Sequence, residues 1–279
     1  MLLFVGVGLP GVPPDGHWPL VHGATYDMLR DVMIIAHLSD THLDGGERAL
    51  DRTRRVMSYL RGCRVDVILV SGDLADHGEI HEYEQVKAEL TADVPVLMLP
   101  GNHDRRSPYR KVLLDGAGDA PINQLHRVGG ALFALCDSSI PGRHDGLLAP
   151  ETLDWLREVL ATADAPVFVG LHHHPIPLHN PLVDSIGLLN AGELAAIVQD
   201  CPRVVATLCG HAHAAAAGTF GGRPVLAAPG VVSTTRLPWT TDDELTWDNT
   251  ADLDDVPGVA FHVLADDGAL TTHFRVVPA

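Results

Sequence analysis

The run Gly101-Asn102-His103-Asp104 presents an amide, an imidazole and a carboxylate together, where an apolar stretch over residues 94–99 stops at Pro100. In extended chain, neighbouring side chains point opposite ways. Asn102 and His103 are therefore expected to do different jobs, one turned into a metal cluster and one turned toward a substrate. Four further groups of the same kind follow apolar runs. Asp40 and His42 stand two apart, and a chain still extended there aims both at one side, a reasonable half-site for a borderline metal. Asp73 follows Gly72, His172-His173-His174 precede Pro175, and His211 and His213 flank Ala212. Each group has a plain alternative: Gly-Asn-His-Asp is a passable turn, and Asp-x-His reads as a capping carboxylate beside a surface imidazole. Lone histidines such as His77 and His126 take the plain reading. Five groups at five strand ends point instead to a shared metal site.

The elements that must position these groups read as strands alternating with helices. Buried strands are expected over residues 33–38, 65–70 and 94–99, with amphipathic helices over 48–60 and 80–90 between them. Three strand–polar tip–helix units in succession imply right-handed crossovers and largely parallel pairing, which puts the polar tips at one end of a sheet. Further strands are expected over 131–136, 166–171 and 204–209, with helices over 150–160 and 191–199. Strands over 223–228, 258–264 and 269–276 complete a second set. Residues 1–30, rich in Gly and Pro, read as an extension, and 31–279 as one domain with an acidic, exposed excursion at about 230–257 that carries Trp239 and Trp247. Such chemistry belongs at the carboxyl ends of strands in an open α/β fold.

Composition narrows the partners. The 279 residues carry a formal charge of −17, which argues against a surface that grips long nucleic acid. A small anionic substrate is compatible with it, because bound metal ions reverse the local sign. The 17 histidines are many for this length. The four cysteines are scattered without a Cys-x-x-Cys pair, which fits free thiols in a reducing cytoplasm. No basic residue precedes Arg30, so the charged start of a signal peptide is missing, and no stretch approaches the roughly 20 apolar residues of a membrane span. A cytoplasmic protein is expected.

Asp40-Thr41-His42, Ser71-Gly72-Asp73-Leu74-Ala75-Asp76, Pro100-Gly101-Asn102-His103-Asp104, His174-Pro175-Ile176-Pro177 and Gly210-His211-Ala212-His213 together resemble the calcineurin-like metallophosphoesterases, from about residue 33 to about 229. Within them they look like the bacterial class III cyclic nucleotide phosphodiesterases and their glycerophosphodiesterase relatives. The resemblance implies a four-layer αββα sandwich with mixed sheets and a two-metal site at the strand ends. It implies that Asp40, His42, Asp73 and His213 hold one ion, that Asp73, Asn102, His172 and His211 hold the other, and that Asp73 bridges. A mixed N/O set without thiolate suits Mn, Fe or Zn, as divalent or mixed-valence ions. Such a pair shares a hydroxide whose parent water has its pKa brought toward about 7, and that hydroxide attacks phosphorus in line with the leaving alkoxide. By resemblance His103 faces the phosphate, and Asp104 is expected to orient His103 or to cap a helix. Relatives read His-His-Pro-Pro where this chain has a third histidine. Ungapped alignment of the following Ile-Pro selects His172, and a one-residue slip selects His173; the strand leading straight into His172 favours the former. The activity implied is hydrolysis of small phosphodiesters, 3′,5′-cyclic nucleotides first, with a glycerophosphodiester or a broad set as the alternative. A nuclease or a non-catalytic metal-binding protein stands further off. A homo-oligomer, such as a dimer, is the remaining expectation.

Overall fold

The computed structural model describes residues 32–278, so the extension expected over 1–30 lies outside the described residues. The first units are β1 (Val32–Leu38), α1 (Glu47–Arg61), β2 (Val67–Val70), α2 (Ile80–Glu89), β3 (Val96–Met98) and α3 (Arg106–Leu113). There follow β4 (Gln124–Val128), β5 (Ala131–Leu135), α4 (Pro150–Ala161), β6 (Val167–Gly170), the single-turn α5 (Pro181–Asp184), α6 (Ala191–Asp200) and β7 (Val204–Cys209). Last come β8 (Ala216–Phe220), β9 (Arg223–Ala227), β10 (Thr234–Thr235), β11 (Ala251–Asp252), β12 (Gly258–Ala265) and β13 (Leu270–Val276).

Local chemistry accounts for these elements. α1 buries Ala49, Leu50, Thr53, Val56, Met57 and Leu60, one stripe at spacings of three and four, with Glu47 in its first turn and Arg61 in its last. α2 starts in a capping box between Glu79 and Glu82. β2 is Val-Ile-Leu-Val with every residue buried, the unbroken apolar run of a strand covered on both faces.

Two mixed sheets result, one ordered β13-β12-β1-β2-β3 and the other β4-β5-β6-β7-β9-β8. β1, β2 and β3 pair in parallel, as do β5, β6, β7 and β9. β13, β4 and β8 join their neighbours antiparallel. Three apolar layers separate four layers of structure. Ala36, Leu38, Ile68 and Val70 pack against Val56, Met57, Tyr83 and Val86 of α1 and α2. Ile35, Val67, Leu69 and Leu97 meet Phe133, Leu135, Phe168 and Leu208 of the second sheet. The far face of that sheet, Leu132, Ala134, Val167 and Val169, meets Leu153, Leu156 and Leu194 of α4 and α6. This is the expected αββα sandwich.

Besides the short α5, β10 and β11, three longer elements escape the sequence reading. α3 carries Pro108 in its first turn, where a missing N–H is tolerated, so the proline hides a helix rather than ending one. β4 and β8 are edge strands with little continuous apolar character, Gln-Leu-His-Arg-Val and Ala-Ala-Gly-Thr-Phe. The segment at 230–257 divides in two. Val231 and Ser233 are buried, and the amides of Val231 and Val232 donate to the carbonyls of Ser39 and Asp40 at 2.9 and 3.0 Å. Trp239 and Trp247 beyond them are exposed, and β10 and β11 pair at the base of that stretch.

Candidate metal centre

The carboxyl ends of β1, β2 and β3 in one sheet and of β6 and β7 in the other lead into the five polar motifs. The chain there is not extended, which corrects the geometric argument for Asp40 and His42. Asp40, His42, Asp73, His211 and His213 all have left-handed backbone, with φ of 58°, 41°, 47°, 68° and 49°. Asp, Asn and His tolerate this region best among residues with a Cβ, though each instance still costs on the order of 1 kcal/mol. Left-handed turns, and not strand periodicity, swing the side chains inward. Backbone bonds pin the turns: Asp40 N–H donates to Gly72 O at 3.0 Å, and His42 N–H donates to Asp73 O at 2.9 Å.

All seven candidate ligands meet. Asp40, His42 and His213 form one group, and Asp73, His172 and His211 another, each with donor atoms within 4.8 Å of one another. Asp73 Oδ2 lies 3.3 Å from His172 Nε2 and 3.6 Å from His42 Nε2, so one carboxylate reaches both groups. Asn102 Oδ1 lies 3.2 Å from His172 Nε2.

The outer partners of the imidazoles decide what faces inward. His172 Nδ1–H donates to Ser71 O at 2.7 Å, and His211 Nε2–H donates to Ile186 O at 3.0 Å. A carbonyl only accepts, so His172 Nε2 and His211 Nδ1, 3.2 Å apart, are left as lone pairs when the rings are neutral. His42 Nδ1 is held by Asp76 Oδ1 at 2.8 Å and His213 Nδ1 by Ser233 Oγ at 2.7 Å, which turns both Nε2 atoms to the centre, 3.3 Å apart. Asp40 Oδ1 is buried with no hydrogen-bond partner among the described residues. Imidazole nitrogens, carboxylate oxygens and an orphan Asp40 oxygen converging in this way form a donor set that cations can fill, and outer partners of this kind are what orient metal-ligating histidines. The donor set fits two borderline divalent ions. In the ion-free protein, burial lowers the pKa of His172, and Asp73 and Asp40 more than reverse this, raising it to about 9. A cation must then displace that proton.

Gly101 lets the two sheets' loops approach. A Cβ there would sit 2.2 Å from Asp73 Oδ1 and 2.8 Å from His172 Nε2. The three adjacent histidines have different surroundings. His173 has both ring nitrogens engaged, with Ser138 Oγ at 2.8 Å and His144 O at 3.1 Å. His174 Nε2 lies 3.6 Å from Asp184. Only His172 of the three belongs to the two groups.

His103 is in neither of these groups, although with His42 and Asp76 it forms a third cluster of close donor atoms. Its Nδ1–H donates to the main-chain carbonyl of Asp76 at 2.7 Å, and its Nε2 makes no hydrogen bond among the described residues. Burial lowers its pKa, while Asp76 and Asp73 outweigh burial and raise it to about 10. The expectation that Asp104 orients His103 is corrected. Asp104 is buried and accepts from the amides of Gly101, Leu74 and Ala75 at 2.8, 3.1 and 3.2 Å and from Tyr83 Oη at 3.0 Å. The amides of Leu74 and Ala75 after the left-handed turn at Asp73, and that of Gly101 on the neighbouring tip, need an acceptor, and leaving them unpaired would cost more than the pairing with His103 gains. Asp76, which the sequence reading gave no role, holds His103 instead. Its signal was its place three residues after Asp73, on the same tip.

Two adjoining cavities, of about 650 and 580 Å³, share Asn102, His103 and His144 in their walls. Among the described residues, no helix is long and apolar enough to cross a membrane.

Comparisons with known proteins agree with this architecture. A cAMP/cGMP dual specificity phosphodiesterase of Mycobacterium tuberculosis is 36% identical over 222 residues, 73% of this chain and 69% of the relative. A glycerophosphodiester phosphodiesterase of Enterobacter lignolyticus is 32% identical over 227 residues, 76% of this chain and 81% of the relative. Among solved structures, a dimetal phosphatase from Danio rerio shares the fold with a TM-score of 0.66 at 18% identity, covering 88% of this chain and 96% of that one. The calcineurin-like phosphoesterase model matches residues 33–215, and the chain belongs to that family.

Proposed function

We propose that the chain is a metal-dependent phosphodiesterase that hydrolyses small phosphodiesters, 3′,5′-cyclic nucleotides first. The observation that carries this reading is the inward-facing set of donor atoms spanned by Asp73. Asp40, His42, Asp73 and His213 would hold one ion, and Asp73, Asn102, His172 and His211 the other, with Mn, Fe or Zn suited to the donors. Two such ions supply positive charge for a phosphodiester monoanion and acidify water to a pKa of about 7. Hydrolysis adds water across one P–O ester bond, and the departing oxygen needs a proton. His103 would give it from Nε2, with Asp76 holding Nδ1 through its carbonyl and facing it with its carboxylate, which favours the protonated ring. Asp104 acts through the loop it buttresses.

The names of the relatives support diester over monoester chemistry, and both cyclic nucleotide and glycerophosphodiester enzymes stand among them. The reading includes a cytoplasmic location, supported by four free cysteines, and a homodimer, supported by exposed Leu237, Leu253 and Val256 and testable by light scattering. The deciding assay loads the protein with Mn and offers cAMP, glycerophosphoethanolamine and a phosphomonoester in parallel. Turnover of cAMP is expected to lead, a lead by glycerophosphoethanolamine would move the substrate to the second reading, and turnover of the monoester alone overturns both.

A further inference from the structure

We infer that Trp247 is the platform on which the substrate's nucleobase stacks, an assignment that rests on the cyclic nucleotide reading above. The two cavities beside His103 are chemically unlike. The larger includes Arg105, Arg106 and Arg143, and each guanidinium is already paired with a carboxylate, Glu79, Asp137 and Asp145 respectively. Of the candidate ligands it reaches only Asn102. The smaller is walled by His42, Asp73, Asn102, His211 and His213, so a diester held at the centre has its substituent facing this side. At about 580 Å³ it has the volume of a small-molecule site.

Trp247 is the one Phe, Tyr or Trp side chain among the described residues that line either cavity. It is 55% exposed, leaving a large ring face without protein packing. The ring is nonetheless carried on fixed backbone. Thr250 N–H donates to Thr246 O at 2.9 Å and Asn249 N–H to the same oxygen at 3.2 Å, while Thr246 N–H donates to Asn249 Oδ1 at 2.7 Å. Arg236 N–H donates to Thr250 O at 2.8 Å, tying this turn to the base of β10 and β11. Val183 and Ile186 supply apolar surface to the same cavity. An aromatic face held beside a phosphodiester site suits a purine, since every base has a π-face and such stacking contributes about 1–3 kcal/mol per base.

The test compares metal-loaded wild type, Trp247→Ala and Trp247→Phe on cAMP and on glycerophosphoethanolamine, a diester without a base. Trp247→Ala should raise KM for cAMP about tenfold with kcat within about twofold, leave glycerophosphoethanolamine unchanged, and be largely rescued by Trp247→Phe. Titrating AMP should quench a tryptophan emission component that Trp247→Phe lacks. An unchanged KM for cAMP, or an equal loss on both diesters, overturns the assignment while the phosphodiesterase reading stands. If wild type turns over glycerophosphoethanolamine but not cAMP, the cyclic nucleotide reading fails by itself. AMP quenching then judges Trp247, and its absence removes the platform too.

Discussion

His103 Nδ1 lies 2.7 Å from the carbonyl oxygen of Asp76 and 3.4 Å from its Oδ1, so one residue holds the imidazole through both main chain and side chain. The same carboxylate takes His42 Nδ1 at 2.8 Å. Asp76 thus couples the proposed proton donor to a candidate ligand, and its carboxyl is held well below the usual range by its bonds to His103 and His42.

Asp76→Asn keeps an acceptor for His42 but removes the charge that raises His103. The rate with cAMP should fall about 10- to 100-fold, mostly in kcat. The sign for pH is definite. A proton donor with a raised pKa works up to that pKa, so lowering it moves the alkaline limb of the pH–rate profile to lower pH. A profile unmoved by Asp76→Asn would show that His103 is not the acid.

The three adjacent histidines should separate cleanly. His172→Ala removes a lone pair from the centre and should lose about one bound ion, as read by elemental analysis. His173→Ala should keep its metal and instead lose about 1–3 kcal/mol of stability, because Ser138 Oγ and His144 O lose buried partners. Metal loss in His173→Ala with retention in His172→Ala would reverse the choice.

Gly101→Ala introduces a methyl group where Asp73 Oδ1 and His172 Nε2 already stand. Strain of about 1–3 kcal/mol and loss of most bound metal are expected, from thermal melts and metal content respectively. Gly118→Ala, where no atom lies within 4 Å, controls for the loss of a flexible glycine elsewhere, although its φ of 106° adds some strain of its own.

His37 on β1 and His262 on the neighbouring strand β12 form a buried pair, Nδ1 to Nε2 at 3.0 Å, with Ser71 Oγ and Thr272 Oγ1 at either end at 2.9 Å. Burial and His262 hold His37 well below its ordinary pKa, and burial holds His262 down at about 3. The unfolded chain binds protons at these rings from about pH 6.5 downward, and the folded chain does not. Their contribution is therefore complete above that pH and is lost as pH falls, by up to about 1.4 kcal/mol per pH unit for each ring. Urea titrations between pH 6.5 and 4 should show a shallower decline for His262→Gln than for wild type.

Much of the centre was legible because its parts are local. Asp40-Thr41-His42, Gly101-Asn102-His103 and His211-Ala212-His213 each sit within a few residues of an apolar run, and strand length and turn residues are properties of neighbouring positions. α3 was hidden because Pro108 is a breaker by rule but harmless in a first turn, and the edge strands β4 and β8 lack the one-sided apolar pattern that burial imposes.

Residue types and spacing determined that carboxylates, an amide and imidazoles would be offered at strand ends. Tertiary structure alone decided which atoms meet. The left-handed turns at Asp40, Asp73 and His211 depend on pairing between β1 and β2 and on loops from two sheets closing over Gly101. Asp76 rather than Asp104 reached His103 because the exposed amides of Leu74, Ala75 and Gly101 claimed Asp104 first. Hydrogen-bond competition among groups far apart in the chain is settled only once the backbone is in place.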